Sequence, residues 1–194
     1  STRPDATRML DVVIAVAALI ALSPILALAT LAVTLDSPGP ILFCQRRTGL
    51  NGKPFGLFKF RSMTVCEDGA QVIQAVAGDA RITRVGRLLR VTSIDELPQL
   101  FNVLAGDMSL VGPRPHALAH DEYYGARIDG YARRFAVKPG ITGWAQVQGA
   151  RGATPTLNHM QMRIDLDIWY ADHAGLGLDL LILAKTPLEV LRHR

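Results

Sequence analysis

Cysteine is scarce in these 194 residues: Cys44 and Cys66 are the only two, and they lie in unrelated contexts. Two such thiols make neither a disulfide framework nor a metal site, and they fit a reducing compartment. Internal repeats and low-complexity segments are also missing, so nothing points to a repeat protein or a linker. Charge is absent from Val12 to Leu35, a run of 24 residues. No small-residue cleavage site follows that run, and it is too long for a signal peptide. Aromatics are absent from the arginine-rich stretch 81–90. A nucleic-acid module would interleave them or present a known motif, and it would have no use for a long apolar run. Nucleic acid is therefore not an expected partner.

What is present begins with hydrophobicity. Nonpolar residues make up 49% of the chain and mean hydropathy is +0.20. With 20% charged residues, that balance implies one concentrated apolar segment. The length suits one domain with a real core. Net charge is +4 and pI about 9.4, which favours anionic ligands without choosing among nucleic acid, lipid and phosphorylated small molecules. The apolar run is long enough to span a bilayer, but Ser23-Pro24 falls in its middle. Proline removes a backbone donor and pushes its predecessor out of helical geometry. Arg3 and Arg8 precede the run, while Arg46, Arg47 and Lys53 follow it. Positive charge marks the cytoplasmic side, and both flanks carry it. A re-entrant helix-break-helix over residues 1–36 satisfies both flanks, with Ser23 able to partner a backbone group freed at the break.

The chain is organised around residues 90–115. Asp95 and Glu96 are adjacent, and neighbouring carboxylates are easier to hold beside a cation: Arg90, Arg114 or a divalent metal. Carboxylates, waters and substrate phosphates are the usual Mg²⁺ ligands, and a carboxylate can also be a nucleophile. The same residues read as a capping box, Ser93 as N-cap with Glu96 three positions on. The two readings are compatible, because a helix N-terminus welcomes negative charge. Pro113 and Pro115 restrict the backbone on both sides of Arg114 and aim its side chain.

Around this stretch, Ile41-Leu42-Phe43 and Phe55 to Phe60 read as strands joined by a hairpin tip over Gln45–Gly49 and Asn51-Gly52. Lys59 and Arg61 then share one face; a solvated basic edge would look the same. Arg81, Arg84, Arg87 and Arg90 crowd a short segment, a density that suits phosphate. Glu67 to Ala77 is a weak helix, Asp121 to Arg134 a polar one and Leu157 to Tyr170 another. Lys138 to Val147 reads as a turn leading to a strand, residues 149–156 as a loop, and Asp179 to Arg194 as a helix with one broad apolar face. His116 and His120 have the four-residue spacing of zinc ligands on a helix, but no third ligand is evident. The fold class is α+β: a small hairpin or sheet surrounded by amphipathic helices.

Ser93-Ile94-Asp95-Glu96-Leu97-Pro98-Gln99, Asn102-Val103 and Gly106 through Pro115 together resemble the bacterial sugar transferases, the monotopic phosphoglycosyl transferases. Lys59-Phe60-Arg61-Ser62-Met63, Lys138 through Val147 and Asp167-Ile168-Trp169-Tyr170 extend the resemblance, which runs from Arg8-Met9-Leu10-Asp11 to Lys185-Thr186. The usual Lys-Arg opening is Thr7-Arg8 here. The resemblance implies a one-leaflet protein at the cytoplasmic face of the bacterial inner membrane, with a catalytic domain over residues 37–194. Larger relatives carry extra N-terminal spanning helices and a further domain. The implied reaction moves a hexose 1-phosphate from a UDP-hexose to undecaprenyl phosphate. Asp95 is the nucleophile, UMP the leaving group and Mg²⁺ the cofactor on Asp95 and Glu96, with Glu96 also able to handle a proton. Lys59, Arg61, Arg90 and Arg114 are the implied phosphate clamps, with Pro113, Pro115 and Asp167 completing the site. Pro115 through Tyr124 is similar to the branch that primes exopolysaccharide or capsule synthesis with glucose or galactose. A homo-oligomer is compatible with all of this. The competing class is a non-catalytic membrane-anchored module gripping anionic lipid or nucleotide through the basic segments, which has no need of Asp95 and Glu96 together.

Overall fold

The uncharged run forms two helices, as its composition requires. In the computed structural model, which describes residues 5–64, 79–150, 152 and 156–192, α1 spans Asp5–Ala21 and α2 spans Ser23–Asp36. Their axes bend by 63°. Pro24 sits in the first turn of α2, the helical position where a missing N–H costs nothing. The Ser23 hydroxyl donates to the Ile20 carbonyl at 2.8 Å, one of the carbonyls that a broken helix leaves over. No single helix among the described residues is long and apolar enough to cross a membrane. Met9, Val13, Val16 and Ile20 on α1, with Leu28, Leu31 and Leu35 on α2, are exposed.

The opposite face of α1 is fixed to the rest of the chain by charge. Asp11 is buried and accepts from the Ser109 hydroxyl and the Leu110 amide at 2.7 and 3.0 Å. Arg8 donates to the Val103 and Leu104 carbonyls, at the end of α4 (Gln99–Ala105). That is the C-terminal position where a cation is favoured.

Strands β1 (Leu42–Thr48) and β2 (Pro54–Phe60) pair antiparallel, with Leu42 opposite Phe60 and Thr48 opposite Pro54. The hairpin is longer than its apolar residues suggest, because β1 runs on through Gln45, Arg46 and Arg47. The tip is a single 3₁₀ turn at Leu50–Gly52, where Asn51 and Gly52 take positive φ. Asn102 is fully buried and pins α4 to β2: its amide donates to the Gly56 carbonyl at 2.6 Å and accepts from the Phe58 amide at 3.0 Å.

A second, parallel pair joins β3 (Ser109–Val111) to β4 (Gly140–Thr142). The backbones here approach so closely that a Cβ on Gly140 would lie 2.0 Å from the Gly112 nitrogen. Only glycine fits such a contact. Around the sheets lie α3 (Arg84–Thr92), α5 (Leu118–Gly125), α6 (Trp144–Val147), α7 (Leu157–His173) and α8 (Leu176–Arg192). The main core joins Ala15 of α1 to Val103, Met108, Val111, Tyr170 and Ile182. A smaller one joins Ala29 and Val33 of α2 to Phe60 and Leu89.

The fold is α+β, as the sequence indicates, but several local expectations fail. Ser93 precedes the short 3₁₀ turn Ile94–Glu96, but its side chain makes no capping hydrogen bond there. It is the left-handed residue ending α3, with φ 58°, and its amide is taken by the Arg90 carbonyl at 3.2 Å. The α3 N-cap is Thr83, whose hydroxyl accepts from the Gly86 amide. The polar stretch 121–134 breaks at Gly130, φ 71°, into α5 and a 3₁₀ helix at Tyr131–Ala136. Residues 138–147 hold only the three-residue β4, after which Trp144 starts a helical turn. There its ring stacks on Trp169 at 5.0 Å. The expected helix at 67–77, Cys66, Arg3, Arg194 and most of the loop between Ala150 and Thr156 lie outside the described residues.

Candidate active site

Asp95 and Glu96 sit on one 3₁₀ turn, Ile94–Glu96, between α3 and α4. The turn exists because α3 stops at the left-handed Ser93 and Pro98 opens the next helix. Two distant segments and the preceding helix bring cations to it. Lys59, at the end of β2, donates to Glu96 Oε1 at 2.9 Å. Arg114, between Pro113 and Pro115, donates to both Glu96 oxygens, Nη1 to Oε2 at 3.1 Å and Nη2 to Oε1. This is the fork that makes guanidinium a geometric as well as an electrostatic clamp. Arg90, in the last turn of α3, lies near enough to favour the ionised form of Asp95; its Nη1 is 3.7 Å from Met63 Sδ.

The two neighbouring carboxylates face opposite electrostatics. Burial by itself would raise Glu96, but the Arg114 guanidinium and the Lys59 ammonium outweigh it and hold that carboxyl well below the usual range. Asp95 is 7% exposed. Burial pushes its pKa up to about 6; Lys59 opposes the rise and the Glu96 charge adds to it. No hydrogen-bond donor reaches the Asp95 carboxylate among the described residues. With both acids ionised, the turn carries two negative charges against the three positive charges of Lys59, Arg90 and Arg114. That surplus suits a phosphorylated ligand.

Behind the clamp lies a sealed polar layer. Arg134 is 2% exposed. Its Nη2 donates to the Arg114 carbonyl at 2.6 Å and to Asp167 Oδ2 at 2.7 Å. Its Nη1 lies 3.4 Å from Asp121 Oδ1, which also accepts from the Tyr131 hydroxyl at 2.6 Å. His116 lies against Tyr131 at 2.9 Å; burial and then Arg134 hold its pKa well below normal, so it is neutral. From the hairpin, Arg47 donates to the Pro115 carbonyl at 3.1 Å. The Pro-Arg-Pro segment is thus held through the carbonyls of Arg114 and Pro115.

Of the residues singled out in the sequence, Lys59, Asp95, Glu96 and Arg114 come together directly, and Pro113 and Pro115 frame Arg114. Asp167 acts at one remove, through Arg134. Arg61 is not in the cluster; its Nη2 donates to the carbonyls of Val33 and Ser37 at the end of α2. His116 precedes α5 while His120 lies within it, so the two do not share a helix face. No group of three or more His, Cys, Asp or Glu side chains converges on a metal position among the described residues. Arg134 and Arg47 escaped the sequence reading, since nothing in a sequence separates a buried arginine from a solvated one.

Several known proteins are similar to this chain over most of its length. A protein of Caulobacter vibrioides named UDP-glucose:undecaprenyl-phosphate glucose-1-phosphate transferase is 57% identical over 184 residues, covering 95% of this chain and 69% of its own length. A protein of the same name from Escherichia coli is 51% identical over 176 residues, 91% of this chain but 38% of its own. An Aeromonas hydrophila protein named UDP-N-acetylgalactosamine-undecaprenyl-phosphate N-acetylgalactosaminephosphotransferase is 42% identical, covering 95% of this chain and 43% of its own length. The chain therefore spans about two thirds of one of these relatives and about two fifths of the other two. The family model described as bacterial sugar transferase matches residues 3–193. That match takes in the hairpin, the carboxylate turn, the Pro-Arg-Pro clamp and the Arg134 layer alike, and the chain belongs to the bacterial sugar transferase family.

Proposed function

We propose that this chain transfers a hexose 1-phosphate from a UDP-hexose to undecaprenyl phosphate, through a covalent phosphosugar on Asp95. The observation that carries the reading is the contrast between adjacent acids. Glu96 is neutralised by Lys59 and Arg114, whereas Asp95 is buried beside the same cations with no donor on its oxygens among the described residues. An acid so placed can attack an anionic phosphorus, because the cations around it offset the repulsion.

In the first step an Asp95 oxygen bonds to the β-phosphorus of the donor. The bond from that phosphorus to the oxygen bridging the α-phosphate breaks, and UMP leaves with the electron pair. An oxygen of the lipid phosphate then attacks the same phosphorus. The Asp95–phosphorus bond breaks, regenerating the carboxylate and leaving a polyprenyl diphosphosugar. Lys59 and Arg114 keep their orientation through Glu96 and hold the donor phosphates; Arg90 adds charge from the other side. The step needs ionised Asp95, so UMP release should fall as pH drops below about 6.

Mg²⁺ accepts one or two carboxylates with substrate phosphates and water. Asp95 fits that requirement with its undonated oxygens. Glu96 fits it less well, since both its oxygens already accept from cations. Bound on Asp95, Mg²⁺ would supply charge neutralisation at the diphosphate.

We assign α1 and α2 to a re-entrant element in the cytoplasmic face of the bacterial inner membrane. The 63° bend, the exposed apolar stripe and the basic residues on both flanks support this. It would hold Asp95 at headgroup height, where a lipid phosphate lies. Glucose is the first hexose to try, from the names of the Caulobacter vibrioides and Escherichia coli relatives, with galactose second. The resulting product would open exopolysaccharide or capsule assembly.

The test is UMP release from UDP-glucose and UDP-galactose with Mg²⁺, with and without undecaprenyl phosphate. Wild type should give a stoichiometric burst without lipid and turnover with it, the ping-pong pattern. UMP that appears only when lipid is present would replace the covalent intermediate by direct transfer. Silence with every UDP-sugar in a folded, membrane-embedded sample would favour the lipid-gripping module.

A further inference from the structure

Residues 59–61 tie together two parts of the molecule. Lys59 ends on Glu96. Two residues on, the buried Arg61 (6% exposed) ends on the last turn of α2, where Nη2 donates to the Val33 carbonyl at 3.3 Å and to the Ser37 carbonyl. These carbonyls are ones that a helix C-terminus leaves unpaired, at the negative end of its dipole. The Arg61 amide is held by the Ile41 carbonyl at 2.9 Å. Phe60, between the two cations, is buried with Ala29 and Val33 of α2. Gly39 closes over the guanidinium: it has φ 125°, and a Cβ there would lie 2.3 Å from Arg61 Nη1. Position 39 therefore needs glycine twice over, for the turn and for the arginine beneath it.

We infer that Arg61 is a positioning residue for the second half-reaction: by clasping the end of α2 it fixes the membrane-facing helix pair against the strand that carries Lys59. The height at which a lipid phosphate meets Asp95 is then set by this clasp. The inference rests on the transferase reading. The UDP-sugar arrives from water and needs Asp95, Lys59 and Arg114; the hydrogen bonds that Lys59 and Arg114 make to Glu96 involve no α2 residue. The lipid arrives through the membrane, so its approach depends on how α1 and α2 sit against the site.

The experiment uses the full chain in lipid nanodiscs, as wild type, Arg61→Lys and Gly39→Ala. Lysine keeps the charge but replaces the planar guanidinium by a compact ammonium on a different stem; the alanine crowds the guanidinium without touching charge. Three quantities are read: the UMP burst without lipid, kcat/KM for undecaprenyl phosphate, and amide exchange in the last turn of α2. Expected for both variants are a burst within about twofold of wild type, lipid kcat/KM lower by about tenfold or more, and faster exchange in that turn. A burst that falls in step with the lipid reaction would overturn the inference and return Arg61 to the donor phosphates. An unchanged lipid kcat/KM despite faster exchange would overturn it too. Should one variant fail to fold by circular dichroism, the other carries the test. A wild type silent with every UDP-sugar would instead overturn the transferase reading, a result distinct from these.

Discussion

Two arginine–carboxylate clusters lie back to back across Arg114, and they use the same chemistry for opposite ends. In the rear cluster Arg134 is shared by Asp167, the edge of Asp121 and a backbone carbonyl, and is closed to water. In the front cluster Lys59 and Arg114 converge on Glu96 alone, and Asp95 beside it has no donor among the described residues. The rear is buried, its arginine bonded to groups of the protein itself; the front carries a cation surplus that suits an incoming anion. A site for phosphoryl transfer needs both, because a clamp that must wait for its substrate has to be held by something that does not.

The sharpest way to break this contrast is at the front. Asp95→Asn keeps the shape of the side chain and removes the proposed nucleophile. UMP release should drop by about a thousandfold or more, with the circular dichroism spectrum unchanged. If substantial UMP release persisted, Asp95 would not be the nucleophile. At the rear, the expected loss is of fold before chemistry. Arg134→Met leaves Asp167 and Asp121 buried without their cation, and removing one partner of a buried pair costs about 3–5 kcal/mol. Chemical denaturation of the variant would measure it. A cost below about 1 kcal/mol would place the rear cluster among the weak surface-type pairs and remove its claim to hold Arg114.

A milder change separates geometry from charge. Arg114→Lys preserves the positive charge and loses the two-pronged contact with Glu96. The UMP burst rate should fall by about 10- to 100-fold, mostly in the donor's KM if Arg114 grips the ground-state phosphates. A variant equal to wild type would mean that Arg114 supplies only charge.

Much of the front cluster was legible in the sequence, and little of the rear. The adjacent acids, the cations on β2 and the proline-flanked Arg114 stand out because their local spacing is unusual. The helix pair was legible for a similar reason: an uncharged run with Ser23-Pro24 at its centre permits few other structures. Lys59 and Arg61 look equivalent on one strand face, yet one reaches Glu96 and the other α2, because the strand ends between them at Phe60. The capping box at Ser93 has the right residue types at the right spacing. It fails because α3 needs a left-handed residue to stop, and Ser93 supplies it. Arg134 and Asn102 are invisible locally. Their carboxylate and carbonyl partners lie 13 to 46 residues away, and burial, which turns them from surface polar residues into fasteners, is a property of the assembled fold.

The same front–rear contrast has a consequence for stability, smaller than the losses above and opposite in sign. A raised carboxyl pKa means that the folded state resists ionisation of Asp95. Well below pH 3.8 the group is protonated in both folded and unfolded chains and costs nothing. As pH rises from 3.8 towards about 6, the unfolded chain ionises first and gains relative to the folded one. Above that the cost is complete, about 3 kcal/mol at most for a shift of roughly two units, and less where water and Lys59 relax around the charge. Asp95→Asn removes the ionisable group, so the inactive variant should be the more stable protein at pH 8, by about 1–2 kcal/mol or a few degrees in Tm. The advantage should shrink steadily below pH 6 and vanish only well below pH 3.8. Paired melts across that range would show whether the difference follows this course. A variant less stable than wild type at pH 8 would mean that the front cations already stabilise the Asp95 charge without substrate, and that the front cluster needs no incoming anion to balance it.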